Sequence, residues 1–248
     1  MRRNRGGVLG VIPARYQAAR FPGKPLALIA GRPMIQRVYE AVRRARWLDA
    51  VVVATDDARI AEAVRGFGGE AVMTSARCRS GTDRVAEVAQ HRRETIILNI
   101  QGDEPLMHPA MVDQVARVLL DDASVLMASL RRRLENHADL RNPHVVKVVV
   151  DRQDRALYFS RAAIPGRKPG ADDAPPVTPY KHLGIYGFRR AFLLRFARLR
   201  PTTLEQAEGL EQLRALEHGY AITVPETSRD SIGVDTPADL RRVEALLA

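Results

Sequence analysis

The sequence predicts an α/β protein with a mostly parallel sheet covered by helices on both faces, and three observations predict it. Short runs rich in Val, Ile and Ala recur through the first hundred residues: "VLGVI" (8–12), "AVVVAT" (50–55), "EAVMT" (70–74) and "TIILNI" (95–100). Apolar runs of this length, continuous rather than alternating, are what strands buried on both faces look like. Between them lie segments with apolar residues at helical spacing, 33–45, 58–67 and 81–91, so strand and helix alternate as in βαβ units. The third observation is size: 248 residues, 46% of them hydrophobic, suffice for one substantial core with a subregion attached. A single domain over 1–248 is expected.

Taken in order, "VLGVI" is the first strand and gives way at Pro13 to a segment too rich in Pro and Gly for a helix. Pro33 suits the first position of the 33–45 helix. After residue 120 the rhythm changes. "SVLMASL" (124–130), "VVKVVV" (145–150) and "ALYFS" (156–160) read as strands, and the polar turn "DRQDR" (151–155) makes the last two an antiparallel hairpin. The stretch 166–179, dense in Gly, Pro and Asp, reads as a mobile loop before "HLGIYGF" (182–188) resumes strand. Residues 124–190 thus form a smaller mixed β subregion. "TTLEQAEGLEQLRALEHG" (202–219) reads as one long amphipathic helix closed by Gly219. Asp235 is expected to end a short strand in "GVDTP", and Thr236 with Asp239 marks the start of a final helix.

Bulk properties exclude several classes. The formal charge of +10 invites nucleic acid, but the arginines are spread among acids and aromatics are only 5%, so no basic block or stacking stripe exists. No run approaches the length of a membrane span. The basic start "MRRNRGG" is followed by too few apolar residues for a signal-peptide core. One cysteine, Cys78, permits no intrachain disulfide and fits a reducing cytoplasm. A cytosolic protein with small anionic substrates is expected, without nucleic acid or membrane insertion.

Ligands of open α/β sheets sit beyond the carboxyl ends of the strands, so chemistry is sought there. After the first strand come Pro13, Ala14 and Arg15, then Arg20 and "PGKPL" with Lys24. Guanidinium, ammonium and a glycine that admits backbone N–H groups suit a phosphate chain. A solvated loop explains them equally well at this point. Neither a Walker spacing nor G-x-G-x-x-G is present. After the fourth strand, "NIQGDEP" places Asp103 and Glu104 in a tight turn, suited to holding a hard cation such as Mg²⁺ or to capping the helix that follows. Asp235 has the same two readings. Together, two acids after strands and a cationic first loop suggest a metal–triphosphate site.

These motifs, with "ATD", "SGTDR", "ALYFSR", "KHLGIYGFR", "LEQLR" and "GVDTP" in order from Val8 onward, closely resemble the CMP-Kdo synthetase family, the 3-deoxy-manno-octulosonate cytidylyltransferases. The resemblance implies a Rossmann-like nucleotidyltransferase fold and the reaction CTP + Kdo → CMP-Kdo + diphosphate, which activates Kdo for lipopolysaccharide synthesis. It implies a homodimer, a β-rich subregion serving acceptor binding or dimerisation, and Mg²⁺ as cofactor. Matched by motif, Lys24, Arg15, Asp103 and Asp235 would be catalytic, with Mg²⁺ on the two aspartates. Pro13, Ala14, Arg15, Arg20, Lys24, Ser80, Gly81 and Gln101 would bind the nucleotide. Arg161, His182, Tyr186, Glu211 and Gln212 would surround the sugar acid. Ala19, Phe21 and Lys181 depart from residues common in the family, and none removes a charged catalytic group.

Overall fold

A computed structural model describes residues 6–17, 21–166 and 177–247. Arg20 and most of the 166–179 segment, expected above to contact nucleotide and to be mobile, lie outside the described residues. Strand β1 (Val8–Ala14) leads through the small hairpin β2 (Leu28–Ile29) and β3 (Arg32–Pro33) to helix α1 (Met34–Arg43). β4 (Ala50–Thr55), α2 (Ala58–Gly66), β5 (Glu70–Met73), α3 (Gly81–Gln90), β6 (Ile96–Asn99) and α4 (Pro109–Asp121) follow in alternation. β7 (Met127–Arg133), α5 (His137–Arg141), β8 (Lys147–Val150), β9 (Ala156–Ser160) and β10 (Tyr180–Arg189) make the second half of the sheet. The chain closes with α6 (Arg190–Phe196), α7 (Thr203–Glu208), α8 (Leu213–Glu217) and α9 (Pro237–Leu247).

β5, β4, β1 and β6 pair in parallel in that order, which is the βαβ half the alternation predicts. Side chains of β1 alternate between faces. Val8, Ile12 and Ala14 pack with α1, α2 and α4, while Leu9 and Val11 meet α3, α6 and the segment at Ile222–Val224. Burial on both faces is why the strand reads as an unbroken apolar run. β10 then enters antiparallel. Its C-terminal half pairs β6 from Tyr186↔Asn99, its N-terminal half pairs β8, and β7 lies along its other edge. One ten-residue strand therefore joins the parallel half to the β8–β9 hairpin.

Three expectations are corrected. Pro33 is not the first helical residue: it caps α1 with an extended ψ of 140° and pairs within β3. Residues 202–219 are not one helix. Gly209 takes the left-handed conformation, φ 61° and ψ 40°, ends α7 there, and turns the chain before α8. A carboxylate-to-guanidinium pair, Glu205 to Arg214, bridges the two short helices across the break. Finally, Asp235 does not end a strand. Residues 231–235 are irregular, tied to the 101–105 turn by one backbone bond from Val234 N–H to the Asp103 carbonyl at 2.8 Å. Val234 sits instead in a small core with Ile29, Met34 and Val243, under α9. That apolar anchor holds the segment where no ladder does.

Candidate active site

At the carboxyl ends of β1 and β6 a cleft of about 320 Å³ opens between the first loop and the 101–103 turn. Pro13, Ala14, Arg15 and Lys24 form one wall; Ser80, Gly81, Gln101 and Asp103 form the other. Gln17, Pro25 and Gly102 complete the lining and were not singled out from sequence. Gly102 is there for a steric reason. A Cβ at that position would stand 2.8 Å from the Pro13 carbonyl oxygen, so only glycine lets the two loops approach this closely.

Arg15 and Lys24 of the cationic loop are each held in place. Arg15 Nη2 donates to the Cys78 carbonyl at 2.6 Å, which binds the first loop to the turn before α3. Gly23, left-handed at φ 72°, begins the single turn that carries Lys24. The Lys24 ammonium donates to Asp103 Oδ2 at 2.7 Å and to the Val234 carbonyl at 2.8 Å, with Asp235 Oδ1 at 3.4 Å. Three groups far apart in sequence thus meet at one point. Other acceptors serve the N–H groups that open the two following helices. His108 Nδ1 accepts the Ala110 N–H that opens α4. Thr236 and Asp239 exchange the bonds that open α9.

That meeting point also tests whether a cation fits. The two carboxylates already converge on a positive charge, the ammonium, and no group of three or more His, Cys, Asp or Glu side chains converges among the described residues. A two-carboxylate site open to phosphate oxygens is the arrangement Mg²⁺ favours, because the ion dehydrates reluctantly and shares its shell with substrate.

Beside Asp103, the Glu104 carboxyl is pushed up to about 7, first by burial and then by the neighbouring Asp103 charge. The pair of acids in "QGDEP" was the sequence signal for it.

The residues assigned to the sugar acid fall into two groups. Glu211 stands against the cleft wall, the Tyr186 phenol lies within reach of its charge, and His182 stacks behind Tyr186. Glu211 Oε1 accepts from Ser80 Oγ at 2.8 Å, and the Tyr186 ring lies 5.3 Å from that of His182. Gln212 is buried nearby in sequence, and its amide nitrogen has no hydrogen-bond partner among the described residues. Arg161 is not brought to the cleft lining. Its guanidinium donates to the carbonyls of Glu208 at 2.7 Å and Pro143 at 3.0 Å.

His182 is wedged edge-on against Phe159, and burial holds its pKa down at about 3. Its Nε2 lies 2.8 Å from Ser129 Oγ, and the ring is a neutral hydrogen-bonding group. The unfolded chain takes up the proton first, near pH 6.5, so this residue makes stability fall as pH drops from there toward 3. At pH 5 the loss is about 2 kcal/mol. Urea unfolding at pH 7 and pH 5 is expected to show that drop shrinking by this amount in His182→Gln, and an unchanged drop would place the titration elsewhere. Burial and the charges of Glu211 and Glu104 raise the Tyr186 phenol, keeping it a neutral donor.

Comparison with known proteins shows the family. A family model described as "Cytidylyltransferase" matches residues 9–226. A protein of Geobacter metallireducens named 3-deoxy-manno-octulosonate cytidylyltransferase is 52% identical over 95% of this chain and 96% of its own length. A protein of the same name from Syntrophotalea carbinolica is 54% identical over 97% of this chain and 98% of its own. Among solved structures, a CMP:2-keto-3-deoxy-manno-octonic acid synthetase complexed with CTP superposes with a TM-score of 0.91 at 42% identity, covering 97% of this chain and 98% of that one. A 4-diphosphocytidyl-2C-methyl-D-erythritol synthase from Anaerococcus prevotii, 12% identical with a TM-score of 0.61 and covering 98% and 96%, shares the fold.

Proposed function

From a chain that belongs to the cytidylyltransferase family, and within it to the 3-deoxy-manno-octulosonate cytidylyltransferases, we infer the reaction CTP + Kdo → CMP-Kdo + diphosphate. The observation that carries it is the convergence of Lys24, Asp103 and Asp235 beside a cleft lined by Arg15, Ser80 and Gln101. A hydroxyl of the sugar acid attacks the α-phosphorus of CTP; the bond from that phosphorus to the bridging oxygen breaks, and diphosphate leaves. Such a transfer needs positioning and charge stabilisation more than covalent help.

The chain's own residues supply both. Arg15, pinned to the Cys78 carbonyl, and Lys24, carried on its single turn, present fixed positive charge to the triphosphate. Ser80 and Gly81 open α3, so the N-terminal end of a ten-residue helix points into the same cleft. Asp103 and Asp235 would hold Mg²⁺, which when bound neutralises phosphate charge and lowers the pKa of the attacking hydroxyl. Glu211, with Tyr186 and neutral His182 behind it, offers acceptors and donors to a polyhydroxylated acid. Arg20 belongs to the nucleotide side by motif alone.

The same reading gives a cytoplasmic homodimer whose product feeds lipopolysaccharide synthesis, with the 124–190 region at the acceptor or subunit face. It draws on the resemblance and on the single cysteine. No helix among the described residues is long and apolar enough to cross a membrane.

The test is diphosphate release from CTP and Mg²⁺ with Kdo, 8-amino-Kdo or a sialic acid as acceptor. Release that requires Kdo is expected. Release with another acid alone would overturn the sugar assignment, and CTP binding without release would make the protein a nucleotide-binding module.

A further inference from the structure

We propose that Thr82 and Asn99 are positioning residues that aim the Glu211 carboxylate at the acceptor. Neither lines the cleft, and both are polar side chains almost wholly removed from solvent, at 4% and 1% exposure. Buried polar groups of this kind are retained where their hydrogen bonds have a use.

Those bonds form a directed chain. Asn99 Nδ2 donates to Thr82 Oγ1 at 3.2 Å, while its own Oδ1 lies 3.4 Å from Gln101 Nε2. A hydroxyl carries one proton. With an N–H arriving from Asn99, the Thr82 proton is left for Glu211 Oε2, which sits in close hydrogen-bond contact. The other carboxylate oxygen, Oε1, accepts from Ser80 Oγ. Both oxygens of Glu211 are therefore held by hydroxyls at the start of α3, with Arg214 Nη2 also 3.5 Å from Oε1, and the direction of the Oε2 bond is imposed from β6.

Glu211 needs such an anchor because of where it lies. The break at Gly209 puts it in the turn between two short helices, where no helical ladder fixes its approach. Its hydroxyl partners are 129 and 131 residues away, Ser80 on the nucleotide wall and Thr82 behind it. Gln101 and Ser80 both face the cleft, so the chain begins and ends there, with its two middle members hidden behind the wall. Thr82 and Asn99 act on the acceptor through Glu211 and touch no substrate atom.

This inference rests on the reading of Glu211 as an acceptor-side residue. Its test uses the full chain and whichever sugar acid supports turnover, so failure of the Kdo assignment leaves it intact. In Thr82→Val the shape is kept and the hydroxyl lost; Thr82→Ser restores the hydroxyl. We expect Thr82→Val to raise KM for the sugar acid on the order of 10-fold or more, as loss of a hydrogen bond to a charged group does. KM for CTP should stay within about twofold and CTP binding by calorimetry should persist, and Thr82→Ser should return the sugar-acid KM to within about threefold of wild type. Equal changes in both KM values, no change in either, or a Thr82→Ser as impaired as Thr82→Val would each overturn the proposal. Should Thr82→Val not fold, Thr82→Ala gives the same reading by the same criteria.

Discussion

Asp103→Asn is expected to lower turnover on the order of 10²-fold or more while the protein stays folded. The side chain keeps its shape and loses the charge that faces Lys24 at 2.7 Å and that would, on the proposed reading, face the cation on the phosphates. Stability should hold because the Lys24–Asp103 pair is partly open to solvent, with the Asp103 side chain 34% exposed, and such pairs contribute little to folding. Diphosphate release at saturating Mg²⁺ against a thermal melt measures both. Turnover within about threefold of wild type would remove Asp103 from the mechanism.

Lys24→Met should move two affinities in opposite directions. Without the ammonium, CTP loses a fixed charge on its triphosphate, and kcat/KM for CTP is expected to fall on the order of 10²- to 10³-fold. In the nucleotide-free protein, however, Lys24 Nζ stands where Asp103 and Asp235 converge, so it competes with any other cation for them. Removing it should tighten Mg²⁺ binding measured by calorimetry without nucleotide. Weaker Mg²⁺ binding in the variant would show that the ammonium does not occupy the cation's place.

Much of this architecture can be read from residues alone, because one physical pattern dominates it. Strands buried on both faces must be apolar throughout, and β1, β4 and β6 announce themselves that way. The β8–β9 hairpin is equally plain from its polar turn. Lys24 and Asp103 follow from the rule that strand ends in such sheets face ligands, whereas Asp235 joins them from an irregular segment that ends no strand. What stayed hidden depends on the third dimension. Gly209 sits in a stretch whose composition favours helix on both sides, and only the structure shows it in the left-handed conformation with the Glu205–Arg214 pair closing the break. "SIGVD" alternates as a strand would, yet Val234 is held by a small apolar core and no ladder forms. Thr82 and Asn99 stand in the stretches "SGTDR" and "NIQGDEP", yet nothing local marks a bond from Thr82 to a carboxylate some 130 positions on. Glu104 was visible as half of an acidic pair, but its raised pKa comes from surroundings the sequence does not show.

The meeting of Lys24 with Asp235 has a consequence in time. The two are 211 positions apart, so at about 5–20 residues per second the ribosome makes the lysine roughly 10–40 s before the aspartate. During that interval a nascent chain can carry Arg15, Lys24 and Asp103 while the second carboxylate does not yet exist. Whatever such a chain binds, it cannot transfer a nucleotidyl group by the chemistry inferred here. On that chemistry, competence waits for the synthesis of residue 235 and the folding of its segment against the 101–105 turn.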